Sequence, residues 1–156
     1  MLIVLFDIQD IVMAEWVPGG QTVNKQYFIE VLTKLHERLR RKRPELWRNG
    51  WILHQDNAPS HNALSVEQFF ANKNISVLEC PPCSPDLAPC DFYLFPKMKS
   101  VRKGTYFVSV EDVKAKTAEN LKSLTEYYLR NCFEHSQHRM QLCVNSEGNY
   151  FEGDRS

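Results

Sequence analysis

Short apolar runs ending in polar turn residues alternate along this chain with stretches of helical periodicity, and that alternation restricts it to a layered α/β fold. Residues 2 to 6 and 11 to 17 are two such runs, separated by Asp7-Ile-Gln-Asp10, the pattern of two strands joined by a tight turn. Pro18-Gly-Gly20 breaks the chain, and Asn24 is placed to cap a helix with Phe28, Leu32, Leu35 and Leu39 on its apolar side. That helix is expected to stop before Pro44, because proline disfavours helical geometry in the preceding residue. Trp51-Ile-Leu-His54 reads as a strand running into the polar exit Asp56-Asn57 and Pro59. Residues 62 to 72 carry Ala63, Val66 and Phe70 at helical spacing, and Ile75-Ser-Val-Leu78 reads as a strand before Pro81-Pro82. Ser109 with Asp112 resembles a capping box that opens a helix with Val113, Thr117, Leu121 and Leu124 on one side. The expectation is a mixed α/β sheet flanked by helices, one domain over 1–156, without repeats or linkers.

Nineteen basic and nineteen acidic side chains cancel, so attraction to nucleic acid has to come from local clustering. Met1-Leu-Ile-Val-Leu-Phe6 has no basic lead and no small-residue cleavage site, so it reads as a buried strand and not as a signal peptide. No stretch approaches the roughly 20 apolar residues of a membrane span, and a soluble protein is expected. Five cysteines (Cys80, Cys83, Cys90, Cys132, Cys143) without a secretory signal favour reduced thiols inside the cell. Cys80-Pro-Pro-Cys83 has the gap of half a zinc site, but Cys90 lies seven residues on and His135 and His138 share a predicted helix. Plain thiols are therefore the expectation.

Asp56 and Asp91 are the candidate chemical pair. Asp56 ends a strand, where open α/β sheets place ligand-binding groups, and Asp91 sits where a helix should begin. Carboxylates from separate elements suit a hard divalent cation, and phosphodiester cleavage commonly uses two such ions to activate the attacking oxygen and neutralise the leaving one. By position alone, however, an aspartate after a strand commonly makes a turn and one at a helix start commonly caps it.

The runs Leu53-His-Gln-Asp56-Asn-Ala-Pro-Ser-His61 and Pro82-Cys-Ser-Pro-Asp-Leu-Ala-Pro-Cys-Asp91-Phe-Tyr-Leu-Phe95 closely resemble the two signature blocks of mariner-type DNA transposases. Thirty-four residues lie between the two aspartates, the family's own spacing for its second and third catalytic carboxylates. Gly20-Gln-Thr-Val-Asn24, Arg41-Lys-Arg-Pro-Glu45 and Cys143-Val-Asn-Ser-Glu-Gly-Asn-Tyr-Phe151 resemble the family too, so the likeness spans nearly the whole chain. Cys80 and Cys83 depart from it, standing where the family commonly has histidine and tyrosine, and Gln55 occupies a spot often filled by histidine or absent.

The resemblance implies a ribonuclease H-like fold, magnesium or manganese held by Asp56 and Asp91, and descent from cut-and-paste DNA transposition and integration in the nucleus. It also places the family's first catalytic aspartate on a strand upstream of the segment matched by Met1 to Phe6. The chain is accordingly expected to be a truncated catalytic domain, without that central first strand and without a helix-turn-helix module, and to be impaired in catalysis. Asp7, at the hairpin turn, Glu15 or a residue supplied by a partner chain are the substitutes to weigh for the third carboxylate. Loss of a central strand exposes backbone donors and acceptors on two neighbours, so either the Leu2 to Phe6 strand moves toward the Trp51 to His54 strand or the chain is poorly stable and associates.

For partners, the expectation is DNA held without sequence preference through Arg38, Arg40, Arg41, Lys42 and Arg43, five cations in six positions. The same run suits a nuclear localisation signal or a solvated helix end favoured by the dipole. A homodimer or a non-catalytic interaction module is the alternative; neither a membrane nor a small-molecule substrate is expected.

Overall fold

The computed structural model describes residues 1–148. They fall into two compact units: Met1–Phe6 with Val12–Ser84, and Asp7–Ile11 with the chain from Pro85 onward.

In the first unit, strands β1 (Leu2–Phe6) and β2 (Ile11–Trp16) pair with each other, and β3 (Ile52–Gln55) pairs in parallel with β4 (Ser76–Glu79). Parallel neighbours need a crossover, and helix α3 (Leu64–Lys73) supplies it. These are two separate two-stranded sheets, so β1 has not moved to pair with β3, as one of the two expected outcomes required. Both strand pairs instead bury their apolar side chains in a common cluster with helix α1 (Lys25–Lys42). Val12 and Met13 of β2, Leu53 of β3 and Val66 and Phe70 of α3 meet Phe28, Val31, Leu32, Leu35 and Leu39 of α1 there. Each such side chain, once buried, contributes roughly 1.5–3 kcal/mol, which explains how α1 fixes strands that do not pair with one another.

Local sequence sets the element ends. Asn24 Oδ1 accepts from Tyr27 N at 2.9 Å, as the sequence led one to expect, and α1 stops before Pro44. Pro44 then opens a short helix, α2 (Pro44–Asn49), that the sequence reading omitted. A proline whose fixed φ suits a first helical turn, and which has no N–H to lose, both ends one helix and starts the next.

The second unit is helical. A 3₁₀ turn (Pro85–Leu87) and a π-helical turn (Cys90–Leu94) lead into α4 (Phe95–Arg102), followed by α5 (Val110–Lys122) and α6 (Glu126–Asn145). The capping box expected at Ser109 is present: its Oγ accepts from Asp112 N, and Asp112 Oδ2 accepts from Ser109 N, both at 3.1 Å. Thr125 caps α6 by accepting from Tyr128 N at 3.2 Å. His135 and His138 do share that helix, whereas the tail motif that runs to Phe151 extends beyond the described residues. Among the described residues no helix is long and apolar enough to cross a membrane.

Candidate functional site

Asp56 stands directly past the last ladder bond of the parallel pair. Gln55 O accepts from Cys80 N at 3.1 Å, and the register runs from Ile52 opposite Ser76 to Gln55 opposite Glu79. The carboxylate is thus carried at the C-terminal end of parallel strands, where the sheet opens toward ligand. The loop that follows is tied to itself: His61 N donates to Ala58 O at 2.9 Å, and Asn62 Nδ2 donates to Asn57 Oδ1.

The Asp56 side chain is 57% exposed, and its two oxygens are used unequally. Oδ1 accepts from Ala58 N at 3.3 Å and lies 2.7 Å from His61 Nδ1, while Oδ2 takes no hydrogen bond from the described residues. Hard cations such as magnesium seek an anionic oxygen of this kind. Although His61 stood inside the first signature block, the sequence reading gave it no role, because its contact with Asp56 depends on the turn of the intervening loop.

Asp91 lies in the second unit, exposed, in the π-helical turn, with its N–H donating to Ala88 O at 2.9 Å. π-turns are energetically poor and recur at functional sites. Here the residues that follow anchor the turn to α6. The Tyr93 ring lies 4.6 Å from that of Tyr128 and 5.6 Å from that of His135, and Tyr128 donates from its hydroxyl to Tyr93 O at 3.2 Å. Burial pushes the Tyr128 phenol up to about 12, so it remains a donor across the physiological range. Arg139 covers the Phe92 ring at 4.4 Å, and Leu94 is fully buried. The neighbours pin the backbone at an exposed residue.

The two candidate substitutes within this chain for a third carboxylate are occupied elsewhere. Asp7 Oδ1 accepts from both Gln9 N and Asp10 N at 2.9 Å, the turn role its position suggested. Glu15 Oε1 accepts from Lys34 Nζ at 2.7 Å and from Tyr27 Oη at 3.0 Å, tying β2 to α1. The Lys34 hydrogen bond outweighs burial and holds the Glu15 carboxyl below its ordinary value of 4.5. None of the five cysteines is in a disulfide; Cys80 is buried and donates to Ser84 O at 3.3 Å. Among the described residues no three or more His, Cys, Asp or Glu side chains gather into a cage for a metal. In the basic run Arg38, Arg40, Arg41 and Lys42 are exposed at the end of α1 and Arg43 is half-buried at its cap, all in the same unit as Asp56.

The DDE superfamily endonuclease family matches residues 4–114. The mariner Mos1 transposase of Drosophila mauritiana is 36% identical over 155 residues, which cover 97% of this chain and 45% of the relative, so the chain spans less than half of that protein's length. The solved Mos1 transposase catalytic domain, determined with raltegravir and magnesium, superposes with a TM-score of 0.89 at 34% identity, over 97% of this chain and 76% of that one. A pre-cleavage Mos1 transpososome gives the same TM-score at 33% identity, over 97% of this chain and 45% of the other. The mixed α/β architecture expected from the sequence is therefore the ribonuclease H-like fold of that domain.

Proposed function

We infer the function of this chain from one premise: it belongs to the DDE superfamily endonucleases and, among them, to the mariner-type transposase catalytic domains. On that basis Asp56 and Asp91 are the second and third carboxylates of a metal-dependent centre that acts on DNA phosphodiesters. The observation that carries this reading is Asp56, at the end of the parallel pair with Oδ2 available, in a chain similar over 97% of its length to a domain solved with magnesium.

The donor set fits the metal. Magnesium is commonly held by one or two carboxylates, with water and substrate phosphate completing its octahedron, so a cage of three protein ligands is not a requirement. Asp56 and Asp91 would hold magnesium or manganese, which when bound activates an attacking oxygen and neutralises a leaving one. Asp56 would offer Oδ2 to the ion, while Ala58 N–H and His61 hold Oδ1 in place. The cations of Arg38, Arg40, Arg41, Lys42 and Arg43 hold backbone phosphates without reading base edges, so the affinity falls steeply with salt. Such a DNA-directed role implies the nucleus as the site of action.

With Asp56 and Asp91 as ligands, cleavage depends on both carboxylates. Magnesium-dependent nicking of supercoiled plasmid by the purified chain tests this. Nicking that Asp56→Ala and Asp91→Ala each remove is the expected result; nicking untouched by both substitutions would overturn the assignment.

The division into two two-stranded sheets favours a second reading, an interaction module, because such sheets have edges on both sides able to pair with another chain. Mass measured in solution over a range of concentrations separates the two: a concentration-dependent dimer supports pairing between copies, and a strict monomer removes it.

A further inference from the structure

We propose that His61 is a positioning residue for the metal centre, fixing the Asp56 carboxylate so that one oxygen is spent on the protein and the other faces the cation; this rests on the assignment of Asp56 as a ligand. Three features of the structure meet at this histidine.

The first is the direction of its proton. Nδ1 of His61 faces two acceptors at once, Asp56 Oδ1 at 2.7 Å and the main-chain oxygen of Asp56 at 3.2 Å. Neither oxygen carries a hydrogen to give, so Nδ1 must be the donor in either charge state of the ring. The bond therefore selects one tautomer and one rotation of the carboxylate.

The second is that the ring itself is held. Its centroid lies 4.0 Å from that of Phe28 with only 25° between the planes, and the side chain is 16% exposed against 57% for Asp56. Phe28 is buried within the apolar cluster of α1. Rigidity passes from the core to Phe28, from Phe28 to His61, and from His61 to a carboxylate that otherwise projects from an exposed loop. The third is the unequal use of Asp56: His61 and Ala58 N both occupy Oδ1, and Oδ2 takes no hydrogen bond from the described residues. Groups that hydrogen-bond a ligating carboxylate in this way orient it, and their loss commonly lowers metal affinity about tenfold or more.

Two substitutions separate the donor from the packing. His61→Phe keeps a flat ring for Phe28 and deletes the donor; His61→Asn places an amide nitrogen at the same distance along the side chain and deletes the ring. Binding of manganese(II) to the full chain, followed by the loss of the free-ion electron paramagnetic resonance signal, is the readout, with circular dichroism as the check on folding. The expected result is manganese affinity reduced about tenfold or more in His61→Phe, near wild type in His61→Asn, and lost in Asp56→Asn. If Asp56→Asn weakens binding and His61→Phe does not, the role of His61 falls alone; if Asp56→Asn has no effect, the ligand assignment falls and takes this inference with it. Imidazole ¹⁵N shifts of the unsubstituted chain give a second test that needs no variant to fold: a proton on Nδ1 is required, and a ring carrying its only proton on Nε2 would overturn the proposal.

Discussion

The two units of this chain are held together by different physics. The first is built on an apolar cluster in which Val31 and Val66 are fully buried and Met13 and Leu32 nearly so, drawn from two strand pairs and two helices. The second buries Leu94, Leu129 and Cys132 as deeply, but adds the polar side chains of Thr117, Asn120 and Ser136 and relies on Tyr93, Tyr128 and His135 in ring contact. Buried side-chain atoms without a hydrogen-bond partner occur in both units, Gln55 Oε1 and Ser65 Oγ in the first and Thr117 Oγ1 and Asn120 Nδ2 in the second, but only in the second do they belong to buried residues of the core. An apolar core tolerates little loss of volume, whereas a core with unsatisfied polar atoms has stability to gain from their removal. Each unit carries one candidate aspartate.

This contrast can be broken at its strongest point first. Leu32→Ala deletes a side chain that is 1% exposed in the centre of the first unit's cluster, and a loss of about 3 kcal/mol in urea unfolding is expected. A loss below about 1 kcal/mol would mean that the cluster relaxes freely and does not fix the unpaired sheets.

A smaller effect sharpens how β2 is tied to α1. Glu15→Gln removes the charge that Lys34 and Tyr27 share, and because Lys34 is 53% exposed the expected loss at neutral pH is only about 1 kcal/mol. Its pH dependence carries a definite sign. The Glu15 carboxyl binds a proton less tightly folded than unfolded, so its contribution is complete above the ordinary value of 4.5 and disappears as pH falls through the lower folded value. Thermal melting of both proteins should accordingly converge in acid; a gap that persists or widens there would contradict the ion pair.

Smallest, and opposite in sign, is Thr117→Val in the second unit. It replaces a 4% exposed hydroxyl that lacks a partner with a methyl group of similar size, and a gain of about 0.5–1 kcal/mol in urea unfolding is expected. Destabilisation would show that the hydroxyl is satisfied after all and would erase the difference between the units.

What the sequence disclosed follows the same division. Phe28, Leu32, Leu35 and Leu39 recur at helical spacing on a helix that packs on strands, so pattern and burial coincide, and Asn24 and Ser109 mark helix starts because capping is local chemistry. Pro44 marked the end of α1 correctly but not the start of α2, because one residue serves both helices. The π-helical turn around Asp91 was unreadable, since nothing in Cys90-Asp-Phe-Tyr-Leu94 distinguishes it from an α-helical start; its shape depends on Tyr128, His135 and Arg139, thirty-five or more residues away. The separation of the strands into two sheets was likewise beyond local pattern, because pairing is a long-range choice. Both candidate aspartates were found from the signature blocks, while His61, inside one of them, gained its meaning only from the fold of the loop that sets it against Asp56.

Whether Asp56 ligates a metal ion is tested most directly by replacing magnesium with iron(II) and generating hydroxyl radicals at the bound ion with ascorbate and peroxide, which cuts the backbone only near that ion. Cuts beside Asp56 that Asp56→Ala removes are the expected result. The absence of cuts there, or cuts that survive Asp56→Ala, would contradict the assignment of Asp56 as a ligand.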